Sequence, residues 1–217
     1  MNRNRPRNTD PDHRGMIDIR RAWSELVAPV TSQHRRRHLA AALRTEVHRV
    51  ARSDLLFNAA VSQKRESALE LKGLGRDVVV GIVMPRAFTH GRRVYAMLNW
   101  MGIADRFVMI GAPQMTTVSG SINRAMAPRI FIPQSDALML RSDTAASLLL
   151  VDDRIDTGFT MAVLGKSLME RLGYIGRMFQ SAGSIEPWTG AVAGGSTHAR
   201  SVQILTEHQM PLISLQR

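Results

Sequence analysis

The stretch that decides the fold is Leu148-Leu149-Leu150-Val151-Asp152-Asp153-Arg154-Ile155-Asp156-Thr157-Gly158-Phe159-Thr160. It opens with an apolar run typical of a strand that is buried on both faces of a parallel sheet. Two carboxylates follow that strand, and a turn of small and hydroxylated residues then opens a helix. This order of strand, acid pair, turn and helix predicts a ligand site beyond the carboxyl end of the strand, where open α/β sheets bind their ligands.

Strands and helices alternate on both sides of this stretch. The apolar patterns predict strands at Val78–Met84, Phe107–Ile110, Ile130–Ile132, Leu148–Val151 and Leu212–Leu215, and helices at Arg92–Met101, Met161–Leu172 and Thr197–His208. Two segments poor in apolar residues, Gln114–Ala127 and Ser181–Gly195, are predicted to be loops. We therefore expect an α/β fold, with a parallel sheet flanked by helices.

The N-terminal part of the chain has a different texture. Residues 1–15 are basic and have almost nothing to bury, so they are expected to be a disordered tail. Residues 16–75 form a predicted helical region, in which Ser32 could cap a helix with a Leu39, Leu43 and Val47 stripe. The α/β core is expected to occupy residues 76–217.

Composition excludes several classes of protein. The chain has 217 residues and no cysteine, which excludes disulfides, thiolate metal sites and a cysteine nucleophile. It has no apolar run long enough for a transmembrane helix and no secretory signal, so a cytoplasmic protein without a membrane partner is expected. The net charge of +11 favours a polyanionic partner, such as nucleic acid or a phosphorylated ligand, although spread arginines also fit a solvated surface.

The turn after the acid pair suits a phosphate group. The free N–H groups at the start of a helix attract anions, and Gly158 allows a close approach of the backbone. Thr157 and Thr160 add hydroxyl donors. Asp152 and Asp153 would repel a phosphate in direct contact, so they are better placed to accept hydrogen bonds from the hydroxyls of an attached sugar and to help hold a divalent cation.

The whole stretch closely resembles the phosphoribosyl pyrophosphate motif of class I phosphoribosyltransferases. The resemblance implies a class I phosphoribosyltransferase-like core whose N-terminal helices contribute to a hood over the base. It implies that Asp152 and Asp153 bind the ribose hydroxyls and Mg²⁺. The residues implied to bind the 5-phosphate are Asp156, Thr157, Gly158, Phe159 and Thr160, and Asp156 could also act near the base. Arg154 stands where the family usually has an aliphatic residue.

A weaker resemblance extends over about Asp77 to Leu215. The family places a pyrophosphate-binding loop after its first core strand, and the matching segment Met84–Arg93 offers Arg86, Arg92 and Arg93; a solvated helix start is the alternative for these arginines. The family's mobile loop corresponds to Gln114–Ala127, with Ser119, Ser121 and Arg124. Trp188 is a candidate for stacking on the base, against ordinary packing. A homodimer is also expected.

Three classes of function remain open. The first is an enzyme that uses phosphoribosyl pyrophosphate and Mg²⁺ to form or cleave a nucleotide N-glycosidic bond, with Asp152, Asp153 and Asp156 as its catalytic residues. The second is a regulator of the same fold that senses a nucleotide and binds nucleic acid through its basic surface. The third is a degenerate domain that serves as an interaction module. The identity of the base cannot be predicted from the sequence.

Overall fold

The computed structural model describes residues 17–53, 77–111, 117–118, 121–122, 130–143, 146–155 and 159–185. The helices are α1 (Ile19–Val27), α2 (Gln33–Ser53), α3 (Phe88–Trp100), α4 (Gln134–Ser142) and α5 (Phe159–Leu172). The strands are β1 (Val78–Met84), β2 (Arg106–Gly111), β3 (Thr117–Val118), β4 (Ser121–Ile122), β5 (Ser147–Ile155) and β6 (Met178–Ile185). The chain divides into two compact units, Met1–Glu46 and Val47–Arg217. None of the described helices combines the length and apolarity needed to cross a bilayer.

The described part of the first unit is a pair of helices joined by a short turn. Asp18 caps α1 by accepting a hydrogen bond from the backbone N–H of Arg21 at 3.0 Å. Ser32 caps α2 through the N–H of Arg35 at 3.3 Å, as the sequence predicts. The Arg35 guanidinium also donates two hydrogen bonds to the Glu25 carboxylate, at 2.7 and 3.0 Å, which ties the two helices together.

The second unit contains a parallel sheet of four strands in the order β2-β1-β5-β6. All of β1 is buried, because its seven residues lie in the middle of the sheet. One face of the sheet packs against α4 and α5 through a continuous apolar cluster, and the other face meets α3 where Gly91 contacts Ile82. The predicted parallel sheet flanked by helices is therefore confirmed.

The edge strand β2 is covered by the segment that follows it. The backbone N–H of Met109 donates to the buried Asp136 carboxylate of α4 at 2.7 Å, and the N–H of Gly111 donates to the Phe131 carbonyl at 2.7 Å. These bonds satisfy edge groups that would otherwise be open to another strand. The predicted strand at Ile130–Ile132 is wrong, because this segment makes an isolated backbone bond to β2 and does not join a ladder.

Two predicted loops contain strands. Within Gln114–Ala127, the short strands β3 and β4 pair in antiparallel fashion. At the start of Ser181–Gly195, residues 181–185 belong to β6, which pairs with β5 along most of its length. The strand β6 was not predicted because it contains polar and small residues, so its sequence lacks the apolar pattern that predicts a buried strand. The predicted helix at 197–208 and the strand at 212–215 lie outside the described residues.

Close packing of α3 on β1 leads to the first prediction. A Cβ atom on Gly91 would lie 2.6 Å from Cγ2 of Ile82 and 3.2 Å from its Cβ, which cannot swing away. Gly91→Ala is therefore expected to lower the free energy of unfolding by about 1–3 kcal/mol, measured by urea denaturation. Thr89→Ala, at an exposed position of the same helix, is the control. A more stable Gly91→Ala protein would contradict the packing, because helix propensity alone favours alanine by about 1 kcal/mol.

Candidate active site

The site lies where the two central strands of the sheet separate. Pairing between β1 and β5 ends at Ile82 and Val151. Beyond that point the last residues of β1 stay paired with β2, and Asp152 to Ile155 stay paired with β6. The strand order also changes direction here, because β2 lies on one side of β1 and β5 lies on the other. Crevices at such switch points are where open α/β sheets bind ligands.

The acid pair occupies the first positions of β5 beyond this separation. The sequence predicts a strand that ends at Val151, but β5 continues to Ile155, so both acids stand on the strand itself. Asp152 is only 6% exposed, whereas Asp153 is half-buried. Asp152 has no ion-pair partner among the described residues.

The environment of Asp152 raises the pKa of its carboxyl group into the neutral range. The pKa of Asp152 is raised to about 7, first by burial and then by the neighbouring Asp153 carboxyl, which acts through a hydrogen bond and through its charge. The backbone N–H of Asp153, which donates to Oδ1 of Asp152 at 2.8 Å, works in the opposite direction. A buried acid with a displaced pKa beside a crevice is a feature of functional sites.

Arg86 lies on the other side of the strand separation. It is exposed in the turn between β1 and α3, and its positive charge lowers the pKa of Asp152. The structure therefore brings the predicted pyrophosphate loop within electrostatic reach of the acid pair. The helix that follows begins at Phe88, and no side chain caps its N-terminus.

The two other arginines of the predicted pyrophosphate loop lie within α3. The Arg92 guanidinium carbon lies 5.5 Å from the centre of the Phe88 ring, so this side chain packs along its own helix. Arg93 is exposed one position further along. Of the three arginines, Arg86 is the one whose charge acts on the acid pair.

The start of α5 follows β5 after a gap of three residues. Phe159 is the first residue of α5, and the partly exposed Thr160 lies in its first turn. A helix start therefore stands beside the carboxyl end of β5, as the motif predicts. Asp156, Thr157 and Gly158 lie outside the described residues.

The remaining predicted site residues lie in the segments of the chain that follow β2 and β6. Ser121 lies in β4 and takes part in the short antiparallel pair. The predicted mobile-loop residues Ser119 and Arg124 and the candidate stacking residue Trp188 lie outside the described residues. They remain predictions.

Two buried polar residues on the strand beside the acid pair were not predicted from the sequence. Gln180 and Ser181 of β6 are 7% and 0% exposed and lie opposite Leu150 and Val151 of β5. The Ser181 hydroxyl has no hydrogen-bond partner among the described residues. The signal that could have found this strand is the apolar pair Met178 and Phe179 soon after a helix, since a further parallel strand is expected there.

The residues of the acid pair fit a magnesium ion. Mg²⁺ is usually held by one or two carboxylates together with phosphate oxygens and water, and Asp152 and Asp153 provide two carboxylates just beyond the point where β1 and β5 separate. Within the described ranges there is no group of three or more histidine, aspartate or glutamate side chains arranged to hold a metal. Any ion at the acid pair would therefore depend on oxygens from the ligand.

Comparison with known proteins gives matches among solved structures alone. No protein-family profile and no curated protein matches the chain. It is similar to adenine phosphoribosyltransferase from Saccharomyces cerevisiae, with a TM-score of 0.44, 18% identity and coverage of 76% of this chain and 82% of that chain. The enzyme from Thermoanaerobacter pseudethanolicus gives a TM-score of 0.42, 13% identity and coverage of 73% and 78%. The one from Leishmania tarentolae gives 0.42, 14%, 71% and 69%. Likeness of this degree does not decide function, which has to come from the site.

Proposed function

We propose that this protein is a phosphoribosyltransferase that binds phosphoribosyl pyrophosphate in the crevice between β1 and β5. One observation carries the proposal: the central strands part at Ile82 and Val151, and the acid pair follows that point on β5 with the charge of an arginine acting on Asp152. Asp152 and Asp153 contribute the acids, and Arg86 contributes the cation. The arrangement suits a ligand that has a sugar in its middle and phosphate groups at both ends.

The acid pair would bind the ribose ring. A carboxylate accepts hydrogen bonds from hydroxyl groups, and two adjacent carboxylates match the two neighbouring hydroxyls of ribose. Asp152 is buried, and its carboxyl group interacts only with the N–H and the carboxyl of Asp153 among the hydrogen-bonding groups that the structure describes. Sugar hydroxyls would provide the donors that this carboxylate lacks, and binding would therefore favour its charged form.

The two phosphate groups would lie at opposite ends of the sugar. The first turn of α5, which contains Thr160, offers backbone N–H groups and a hydroxyl to the 5-phosphate. Asp156, Thr157 and Gly158 are proposed to complete this cradle. Arg86, on the β1 side of the crevice, would bind the pyrophosphate, because a guanidinium can donate to two phosphate oxygens at once.

The reaction would break the bond between the anomeric carbon and pyrophosphate and form a bond from that carbon to a base nitrogen. The chain's residues mainly orient the ribose and stabilise the charge that develops on the departing pyrophosphate. Asp152 and Asp153 would hold the ring, and Arg86 would receive the negative charge. A Mg²⁺ ion bound by the acid pair and phosphate oxygens would supply further neutralisation of that charge.

The proposal is tested by measuring pyrophosphate release from phosphoribosyl pyrophosphate in the presence of Mg²⁺. Adenine, guanine, hypoxanthine, uracil and orotate are offered one at a time, and release with one of them is expected. Binding of phosphoribosyl pyrophosphate without release, together with tight and salt-sensitive binding of nucleic acid, would instead favour the regulatory function. Absence of binding to phosphoribosyl pyrophosphate by calorimetry would refute the proposal.

Arg86→Ala is expected to weaken binding of phosphoribosyl pyrophosphate about 10- to 100-fold. The estimate follows from a charge-assisted hydrogen bond worth about 1.5–3 kcal/mol, since about 1.4 kcal/mol corresponds to tenfold in affinity. The same change should raise the pKa of Asp152, because Arg86 lowers it in the native protein. Calorimetry and carboxyl NMR measure these two effects.

A matched control for Arg86→Ala is available on α5. Arg171 is exposed in the last turn of that helix, at the opposite end from Thr160. Arg171→Ala removes the same charge and should leave affinity unchanged. Equal affinities of the Arg86→Ala variant and the native protein would show that this arginine does not bind the ligand.

A further inference from the structure

We propose that His34 and His38 form a binding site for a zinc-type divalent transition-metal ion on the exposed face of α2. The two residues are four positions apart in a helix, and such residues are neighbours on the helix surface. Both are exposed, and their Nε2 atoms lie 3.1 Å apart. The ring centroids are 4.6 Å apart and the rings are steeply inclined, at 74°. The two nitrogens thus lie close enough together for one ion to bind both.

The distance between the nitrogens is the one that chelation of a single ion requires. Zinc binds histidine nitrogen at about 2.0–2.1 Å, so two such bonds at angles between a right angle and the tetrahedral angle hold the nitrogens about 2.9–3.4 Å apart. The observed separation of 3.1 Å falls within this range. Without an ion, one Nε2–H donates to the other Nε2. When both Nε2 atoms bind a metal, this hydrogen bond is lost and the proton of the donating ring moves to its Nδ1. The helix backbone does not need to move.

The surrounding charges favour a metal that bonds to nitrogen over one held by charge alone. Arg35 is engaged by the Glu25 carboxylate at 2.7 Å, and Arg36 donates to the Ala28 carbonyl at 2.8 Å, so both are directed towards the α1 side of the pair. Arg37 is exposed beside the histidines. A nearby cation repels any divalent ion. An ion that forms strong bonds to imidazole nitrogen can offset this repulsion, whereas Mg²⁺ depends on oxygen ligands, which the pair does not supply.

The histidine pair and the candidate active site belong to different units of the chain. His34 and His38 belong to the first unit, whereas the acid pair belongs to the second. The described residues offer no third histidine or carboxylate that completes a metal cluster with this pair. Two protein ligands leave coordination positions for water or for a ligand from another molecule, so the ion would be exchangeable. The inference does not depend on the proposed enzyme activity.

The test is calorimetric titration of the full chain with Zn²⁺ at pH 7.5, with Mg²⁺ as the comparison ion. His38→Ala should remove one equivalent of zinc or weaken its binding roughly 100-fold, because a two-point attachment becomes a single one. A matched control combines His38→Ala with Ala41→His, at an exposed position. This control keeps the number of histidines but places the pair seven residues apart, about 10.5 Å along the helix axis.

The remaining histidines are the same in all three proteins, so their contribution to zinc binding cancels. Circular dichroism of each variant establishes that the helix content is retained. Zinc should also shift the Nε2 NMR signals of His34 and His38 together in the native chain. Identical zinc isotherms for the native chain and the His38→Ala variant would overturn the proposal. Equally tight binding by the control with the displaced histidine would overturn it as well.

Discussion

Replacing Asp152 and Asp153 together by alanine is expected to weaken binding of phosphoribosyl pyrophosphate about 100- to 10,000-fold. Each hydrogen bond from a ribose hydroxyl to a carboxylate is worth about 1.5–3 kcal/mol, and two are lost. The loss should be large because Asp152 is buried and no cation forms an ion pair with it among the described residues. Its acceptor capacity is therefore available to a ligand. Calorimetry with Mg²⁺ present measures the change.

Loss of binding has to be separated from loss of folding. The pair Asp152→Asn with Asp153→Asn keeps the shape of both side chains and removes the charges, so it should also lose most of the affinity while remaining folded. Glu170→Ala removes an exposed carboxylate from the far end of α5 and should bind as the native protein does. Native affinity in both doubly substituted proteins would show that the acid pair does not bind the ribose.

The core of the fold was predictable because its strands are apolar throughout. Val78–Met84 was predicted with the bounds that the structure gives, since every residue of β1 is buried and apolar or glycine. The strand β6 was missed because Gln180 and Ser181 are buried without an apolar signature. The helix α4 was not predicted for a related reason. It contacts β2 through the Asp136 carboxylate, and a contact between residues 27 positions apart leaves no local pattern in the sequence.

The candidate site was predictable in its residue types but not in its electrostatics. The motif predicted that Asp152 and Asp153 lie at the carboxyl end of a buried strand, and the structure places them on β5 where β1 departs. The sequence could not show that Asp152 is buried while Asp153 stays half-exposed, because this depends on how neighbouring elements cover each face. The displaced pKa of Asp152 follows from that burial and was therefore beyond prediction from sequence.

The same burial implies that Asp152 opposes folding at neutral and higher pH. The pKa of Asp152 is about 7 in the native protein against an ordinary value of 3.8. Below about pH 4 the carboxyl is protonated in both folded and unfolded chains. As the pH rises towards 7, the unfolded chain has released this proton while the native chain retains it, so stability falls with rising pH. The loss is complete above the native pKa.

Asp152→Asn is therefore expected to raise the free energy of unfolding by about 2–4 kcal/mol at pH 8 and to change it little at pH 4. The amide keeps an oxygen that can accept from the Asp153 N–H but carries no charge into the buried site. Urea denaturation of both proteins across this pH range measures the difference, and Glu170→Gln, at an exposed position, should show none. A gain that is equal at pH 4 and pH 8 would show that packing, and not the buried charge, is responsible. Because the Asp152 carboxylate lowers the free energy of unfolding, a ligand that donates hydrogen bonds to this carboxylate is expected to raise it again.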